Sequence, residues 1–193
     1  MTKFILYTLS LIFLLINIAC SPAGIIGSGA ATTMVVAEGD RSLGVVVDDA
    51  TIKLGLSAKL LQSSSDMFLN INSNVINGRV LLTGIVNTQE TRIEAVKTVW
   101  EVEGVQEVIN EIEIGNKTTI KEYANDLWIN TQVKSIAAKT VGLRALSYNF
   151  ETIKGRVYIA GITNKPEQLQ EIIINIKKIK GVREILDYVS IVN

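Results

Sequence analysis

Adding 77 to any position from 49 to 114 leads to its counterpart between 126 and 191 without a single insertion. Asp49 meets Asp126, Ile52 meets Ile129, and Ile76-Asn77-Gly78-Arg79-Val80 meets Ile153-Lys154-Gly155-Arg156-Val157. Gly84-Ile85 falls on Gly161-Ile162, and Gly104-Val105 on Gly181-Val182. Register kept through Gly78, Gly84 and Gly104 is the mark of a duplication, so the fold must be one that a short segment can make twice.

Each copy reads as helix, strand, tight turn, strand, helix, strand. Asn77-Gly78, between Leu69–Ile76 and Arg79–Val86, is a two-residue hairpin signal, since both turn positions need positive φ. Lys154-Gly155 does the same with a residue less suited to it. Alternation at Leu146, Tyr148 and Phe150, and at Val157 and Ile159, gives the strands an apolar face for helices. Thr88 or Asn87 can cap the next helix, and Pro166 suits the first turn of its counterpart. Gly104 and Gly181 end those helices ahead of the strands Val105–Ile114 and Val182–Ile191. Together with Gly84 and Gly161, these glycines read as turn and helix-end positions. The expected class is α+β: two tandem αββαβ domains, each a small mixed sheet packed by two helices, at 49–114 and 126–193 with a linker at 115–125.

The chain of 193 residues has no histidine and one cysteine, Cys20. That removes histidine acid/base catalysis, histidine metal sites, Cys–His nucleophiles and internal disulfides, and leaves an enzyme only carboxylates to work with. No cofactor or metal is expected, and the glycines give no phosphate-cradling loop. Nor does the sequence offer an aromatic-lined basic groove for nucleic acid.

Lys3, the apolar run from Phe4 to Ile18, and Ala19-Cys20-Ser21 have the layout of an export signal over 1–19. The run is broken by Thr8, Ser10 and Asn17 and is short of the roughly 20 apolar residues of a bilayer span. Cys20 after Ala19 resembles the lipobox of bacterial lipoproteins, with Asn17 where leucine is usual, and the resemblance implies acylation of Cys20. Ser21 rather than Asp at the next position implies, by the same resemblance, sorting to the outer membrane. Residues 20–48, rich in Gly, Ala, Ser and Thr, read as a lipidated flexible tether; about 20 such residues reach roughly 25 Å.

The αββαβ pattern, with Gly-x-Val after the hairpin, Gly four residues beyond that Val and Gly-Val before the last strand, resembles the BON domain. Two copies behind a lipobox resemble the dual-BON outer-membrane lipoproteins. Arg41-Ser42-x-Gly44 with Asp48-Asp49, and Asn125-Asp126-x-Trp128-Ile129 with Lys134, are similar to segments of the division- and outer-membrane-stress-associated lipid-binding proteins. This resemblance implies a non-enzymatic protein, lipid-anchored on the periplasmic face of the outer membrane. It also implies that anionic phospholipid is bound mainly through the first helix of the second domain, with Trp128 as the principal residue.

That helix supports the reading from its own residues. Asn125 or Asp126 can cap it, and Ile129, Val133, Ile136 and Ala137 form one apolar face. Trp128 is turned about 100° from Ile129, toward Gln132, Ser135 and Lys139. An indole suits headgroup depth, and Lys134 and Lys139 can lie among phosphates. The candidate phospholipid-binding residues are Trp128, Leu127, Lys134 and Lys139. The alternative is that Trp128 packs against the linker or the other domain; Trp100, with Ile93 and Val96, is expected in core or interdomain packing.

Residues 49–114 carry five basic and nine acidic groups, and 126–191 carry ten and six, so the copies have net charges of −4 and +4. Lys177, Lys178, Lys180 and Arg183 stand where the first copy has Trp100, Glu101, Glu103 and Gln106. The lysines either serve an anionic surface or complement the negative end of their helix. Opposite charges could also draw the domains together and hide the basic surface. A second functional class is therefore a protein adaptor, docking outer-membrane assembly or division proteins through the acidic copy or a free strand edge.

Overall fold

The computed structural model describes residues 43–192. The export signal, Cys20 and the tether up to Ser42 lie outside the described residues. The first copy consists of α1 (Leu43–Ser63), a short α2 (Ser65–Asn70), β1 (Ile71–Ile76), β2 (Arg79–Val86), α3 (Gln89–Trp100) and β3 (Glu107–Ile114). The second consists of α4 (Ile120–Val141), a 3-10 turn (Gly142–Ser147), β4 (Tyr148–Ile153), β5 (Arg156–Thr163), α5 (Pro166–Ile176) and β6 (Glu184–Ile191).

Each copy is a three-stranded mixed sheet with the middle strand of the sequence at its centre. β1 and β2 pair antiparallel across the hairpin, Ile76 facing Arg79, whereas β2 and β3 pair parallel, Arg79 facing Glu107. The second sheet repeats this register, with Ile153 facing Arg156 and Arg156 facing Glu184. A parallel pair needs a crossover, which α3 and α5 supply. The hairpin turns have the expected backbone: Asn77 and Lys154 take φ of 53° and 48°, and the glycines after them 72° and 77°.

Alternation along the strands gives each sheet two buried faces. One face receives the helices: Ile52, Leu56 and Leu60 of α1 with Ala95 and Val99 of α3 cover Val80, Leu82 and Val86. In the second copy Ile129, Val133 and Ala137 with Leu169, Ile172 and Ile176 cover Val157 and Ile159. The other faces meet each other. Ile76, Leu81 and Ile85 pack on Ile153, Tyr158, Ala160 and Ile162, joining the domains through their sheets. Among the described residues, every member of these clusters lies after Arg41, so a chain beginning at Arg41 carries both of these cores and the contact between them.

The structure moves several boundaries. α1 begins at Leu43, so the last six residues assigned to the tether are helical. α4 begins at Ile120 and is capped by Thr119, whose hydroxyl accepts from Glu122 N while the Glu122 carboxylate accepts from Thr119 N at 2.8 Å. Neither Asn125 nor Asp126 is the cap, and only Gly115–Thr119 separates β3 from α4. Leu69 and Asn70 end α2 rather than opening the strand, because Ser64 caps another helical turn. Leu146 lies exposed in the 3-10 turn instead of alternating with Tyr148.

Gly84 and Gly161 are mid-strand residues rather than turn residues. A Cβ on Gly84 would come within 2.1 Å of the Asn70 carbonyl oxygen, and one on Gly161 within 2.8 Å of the Ser147 oxygen. Both mark the place where the end of the preceding short helical turn crosses close over the sheet.

Candidate membrane-binding surface

Asp126, in the second turn of α4, fixes where that helix lies. Its carboxylate accepts from Lys154 N at 2.7 Å and Gly155 N at 2.8 Å, the two N–H groups of the hairpin turn. Asp49 does the same in the first copy, with Asn77 N and Gly78 N both at 2.9 Å. Burial raises the Asp126 pKa, opposed by the two backbone donors. The aspartate pair was visible in the repeat, but the bonds join residues 28 and 29 positions apart and could not be read from local pattern.

Pinned there and held by Ile129, Val133 and Ala137, α4 turns its remaining faces outward. Trp128 is 49% exposed. It stands at an open groove of about 500 Å³ between α4 and the end of α5, with Ile136, Lys139, Lys178, Ile179 and Lys180 as further walls. Lys178 Nζ donates to Asn175 Oδ1 at 2.9 Å. Among the described residues, Lys139, Lys178 and Lys180 enter no ion pair.

The four candidate residues are thus divided. Trp128 and Lys139 share the groove. Leu127 is exposed on the adjoining face, with Tyr123 and Ile120 before it on the same helix. Lys134 is exposed too, but it acts on Glu151 of β4, lowering a pKa that burial raises. Lys178 and Lys180 are brought to Trp128 by the fold, a juxtaposition that depends on the packing of α4 against α5.

Trp100 is 53% exposed, against the expectation of core or interdomain packing. Its helix faces the core with Ala95 and Val99, which turns Trp100 and Ile93 to the outside. The charge difference between copies does not hide the lysines either. The domains meet through apolar sheet faces, and polar contacts ring that contact: Arg156 Nη1 with Glu113 Oε1 at 2.6 Å, Tyr158 with Glu113 at 3.3 Å, and Tyr188 with Glu111. Lys177, Lys178 and Lys180 remain exposed at the far end of α5. Among the described residues, no helix is long and apolar enough to cross a membrane, and no group of three His, Cys, Asp or Glu side chains could hold a metal ion.

A family model for the BON domain matches residues 48–116 and again 125–193. The chain belongs to the BON domain family. It is 34% identical over 146 residues to an Anaplasma centrale protein described as "Uncharacterized protein in gshII 5'region", covering 75% of this chain and 95% of the relative. It is also 28% identical over 166 residues to the outer membrane lipoprotein DolP of Haemophilus influenzae, covering 85% and 84% of the two chains. The 21 kDa hemolysin of Actinobacillus pleuropneumoniae is 29% identical over 156 residues, with 78% and 79% covered. The similarity to DolP extends across both BON domains, so the chain is a dual-BON protein of the DolP type.

Proposed function

We propose that this protein is a non-enzymatic envelope lipoprotein, anchored through Cys20 to the periplasmic face of the outer membrane. Its second BON domain binds anionic phospholipid there and supports envelope integrity. The observation that carries the reading is the exposed indole of Trp128 beside three lysines that enter no ion pair among the described residues. The ring is an apolar body with one N–H donor, suited to headgroup depth. Each lysine near an anionic surface contributes about 1 kcal/mol. Such binding is weak in isolation; an acyl anchor raises the local concentration enough to make it effective. Similarity to an outer membrane lipoprotein over most of both chains supports the location.

The test is cosedimentation of the chain from Arg41 onward with phosphatidylglycerol, cardiolipin or phosphatidylcholine vesicles. Indole emission is followed in a Trp100→Phe background. Salt-sensitive binding to the anionic vesicles with a blue shift is expected, and Trp128→Glu should abolish it while the circular dichroism spectrum stays unchanged. Binding that survives Trp128→Glu would remove α4 as the site. The adaptor reading would then lead, with the acidic first copy as the docking surface.

A further inference from the structure

The chain has two tryptophans, one exposed on each copy, at different repeat positions and in opposite settings. Trp100 is the last residue of α3, with Ile93 two turns before it, and both are turned outward, 53% and 45% exposed. Of the exposed charges on α3 and just after it, Glu90, Glu94, Glu101 and Glu103 outnumber Lys97, and Glu101 pairs with Lys59 of α1 at 2.9 Å. The groove beside Trp128 is the converse. It opens about 500 Å³ between α4 and the end of α5, with Ile136 and Ile179 in its walls and Lys139, Lys178 and Lys180 exposed along it. The repeat aligns the two: Trp100, Glu101 and Glu103 stand at the positions of Lys177, Lys178 and Lys180, and Lys59 at that of Ile136. Duplication begins with two like surfaces, and here one has become an acidic knob and the other a basic groove. Within one chain the copies join through their sheets, which leaves both knob and groove uncovered.

We infer that knob and groove join one molecule of this chain to the next: the end of α3 docks between α4 and α5 of a second copy, Trp100 against Ile136 and Ile179, with Glu101 and Glu103 facing the groove lysines. The two patches differ, so the contact is heterologous and runs on into an open chain or closes into a ring, a reciprocal dimer being the smallest. Charge selects the pairing, since carboxylates meet lysines that enter no ion pair among the described residues, and the C-terminal end of α3 brings its own partial negative charge to them. The indole supplies a large apolar surface for the isoleucine walls and a ring face for the ammonium groups. One knob in one groove falls short of the roughly 1,200 Å² of a stable interface, so association is weak and belongs to concentrated protein. The contact does not depend on phospholipid, although a membrane and a neighbouring chain would compete for the same lysines.

The test is sedimentation equilibrium of the chain from Arg41 onward, without lipid, at low salt and up to millimolar concentration. Trp100→Glu removes the knob and keeps the groove, whereas K178E/K180E reverses the groove and keeps the knob; circular dichroism checks that both fold. The weight-average mass of the parent chain should rise with concentration to a dimer or beyond and return to that of a monomer at high salt. Each variant alone should associate at least about tenfold more weakly. An equimolar mixture of the two should regain association and stop at a one-to-one dimer, because only one knob and one groove remain usable in the pair. A parent chain that stays monomeric would overturn the assignment. Undiminished association of either variant alone would also overturn it, by showing a contact between like patches. So would a mixture no more associated than its components. None of these outcomes bears on vesicle binding, which is measured separately.

Discussion

Arg156 Nη1 meets Glu113 Oε1 at 2.6 Å across the domain contact, and Arg79, the repeat-mate of Arg156, meets Ser190, the repeat-mate of Glu113. The contact is therefore built as a homodimer interface is built, the same patch used twice, with one of the two acid partners replaced by a hydroxyl. Glu113→Ala should destabilise the chain by about 1.5–3 kcal/mol, the range for hydrogen bonds to charged groups. The Tyr158 hydroxyl loses an acceptor in the same change. Urea unfolding followed separately in the two domains checks this, and loss of concerted unfolding would show that the polar rim couples them.

The glycines in the central strands make an asymmetric prediction. Gly84 combines a φ of 143° with a Cβ position 2.1 Å from a carbonyl oxygen, whereas Gly161 has the crowding, at 2.8 Å, without the positive φ. Gly84→Ala should cost on the order of 4 kcal/mol or more, and Gly161→Ala about 1–3 kcal/mol, because backbone cannot yield as a flexible side chain does. Thermal unfolding of the pair measures the difference; equal losses would contradict the geometry.

The start of α4 is sensitive to acid. Thr119 N and the Thr119 hydroxyl hold the Glu122 carboxylate, and these bonds lower its pKa below the ordinary 4.5. With the folded pKa depressed, the stabilisation is complete above about 4.5 and is lost as pH falls through the lower, folded value. Carbonyl carbon shifts of residues 119–123 should then move toward coil while those of Ile129 and Val133 hold. Thr119→Ala should fray the same turn at neutral pH, at a cost of about 1 kcal/mol.

How far the sequence reveals this molecule follows from which signals repeat. The hairpins and the strand order appear in both copies, and the structure keeps them. The glycines read as helix ends do not cap: the helices stop at Trp100 and Ile176 with Glu101 and Lys177 as caps, and Gly104 and Gly181 take their positive φ of 90° and 98° in the turns that follow. The helix start failed for a different reason: Thr119-x-x-Glu122 is a capping-box pattern, but it lies ahead of the repeat boundary, and Asp126 offered a plausible cap at that boundary. Asp126 was free for another task because the true cap lay upstream. Trp128 and Lys139 could be joined from sequence because they are on one helix face. Lys178 and Lys180 could not, since their place beside Trp128 depends on how α5 packs on α4.

The two tryptophans separate exposure from function. Trp100 and Trp128 are 53% and 49% exposed, so accessibility alone gives them equal claims on a membrane. Their surroundings differ: Glu101 and Glu103 follow Trp100, while Lys139, Lys178 and Lys180 share the groove of Trp128. An anionic surface repels the first setting and attracts the second, so Trp100→Glu should leave vesicle binding unchanged where Trp128→Glu abolishes it. Neither substitution should alter stability by more than about 0.5 kcal/mol, as both side chains are half in solvent. Lys178→Ala with Lys180→Ala should remove roughly 2 kcal/mol of surface attraction, about thirtyfold in the partition constant at low ionic strength. That ratio should shrink as salt shortens the screening length toward about 3 Å near 1 M. A thirtyfold loss that persisted at high salt would mean that the lysines act by direct coordination alone, and an unchanged partition constant would remove them from the binding surface.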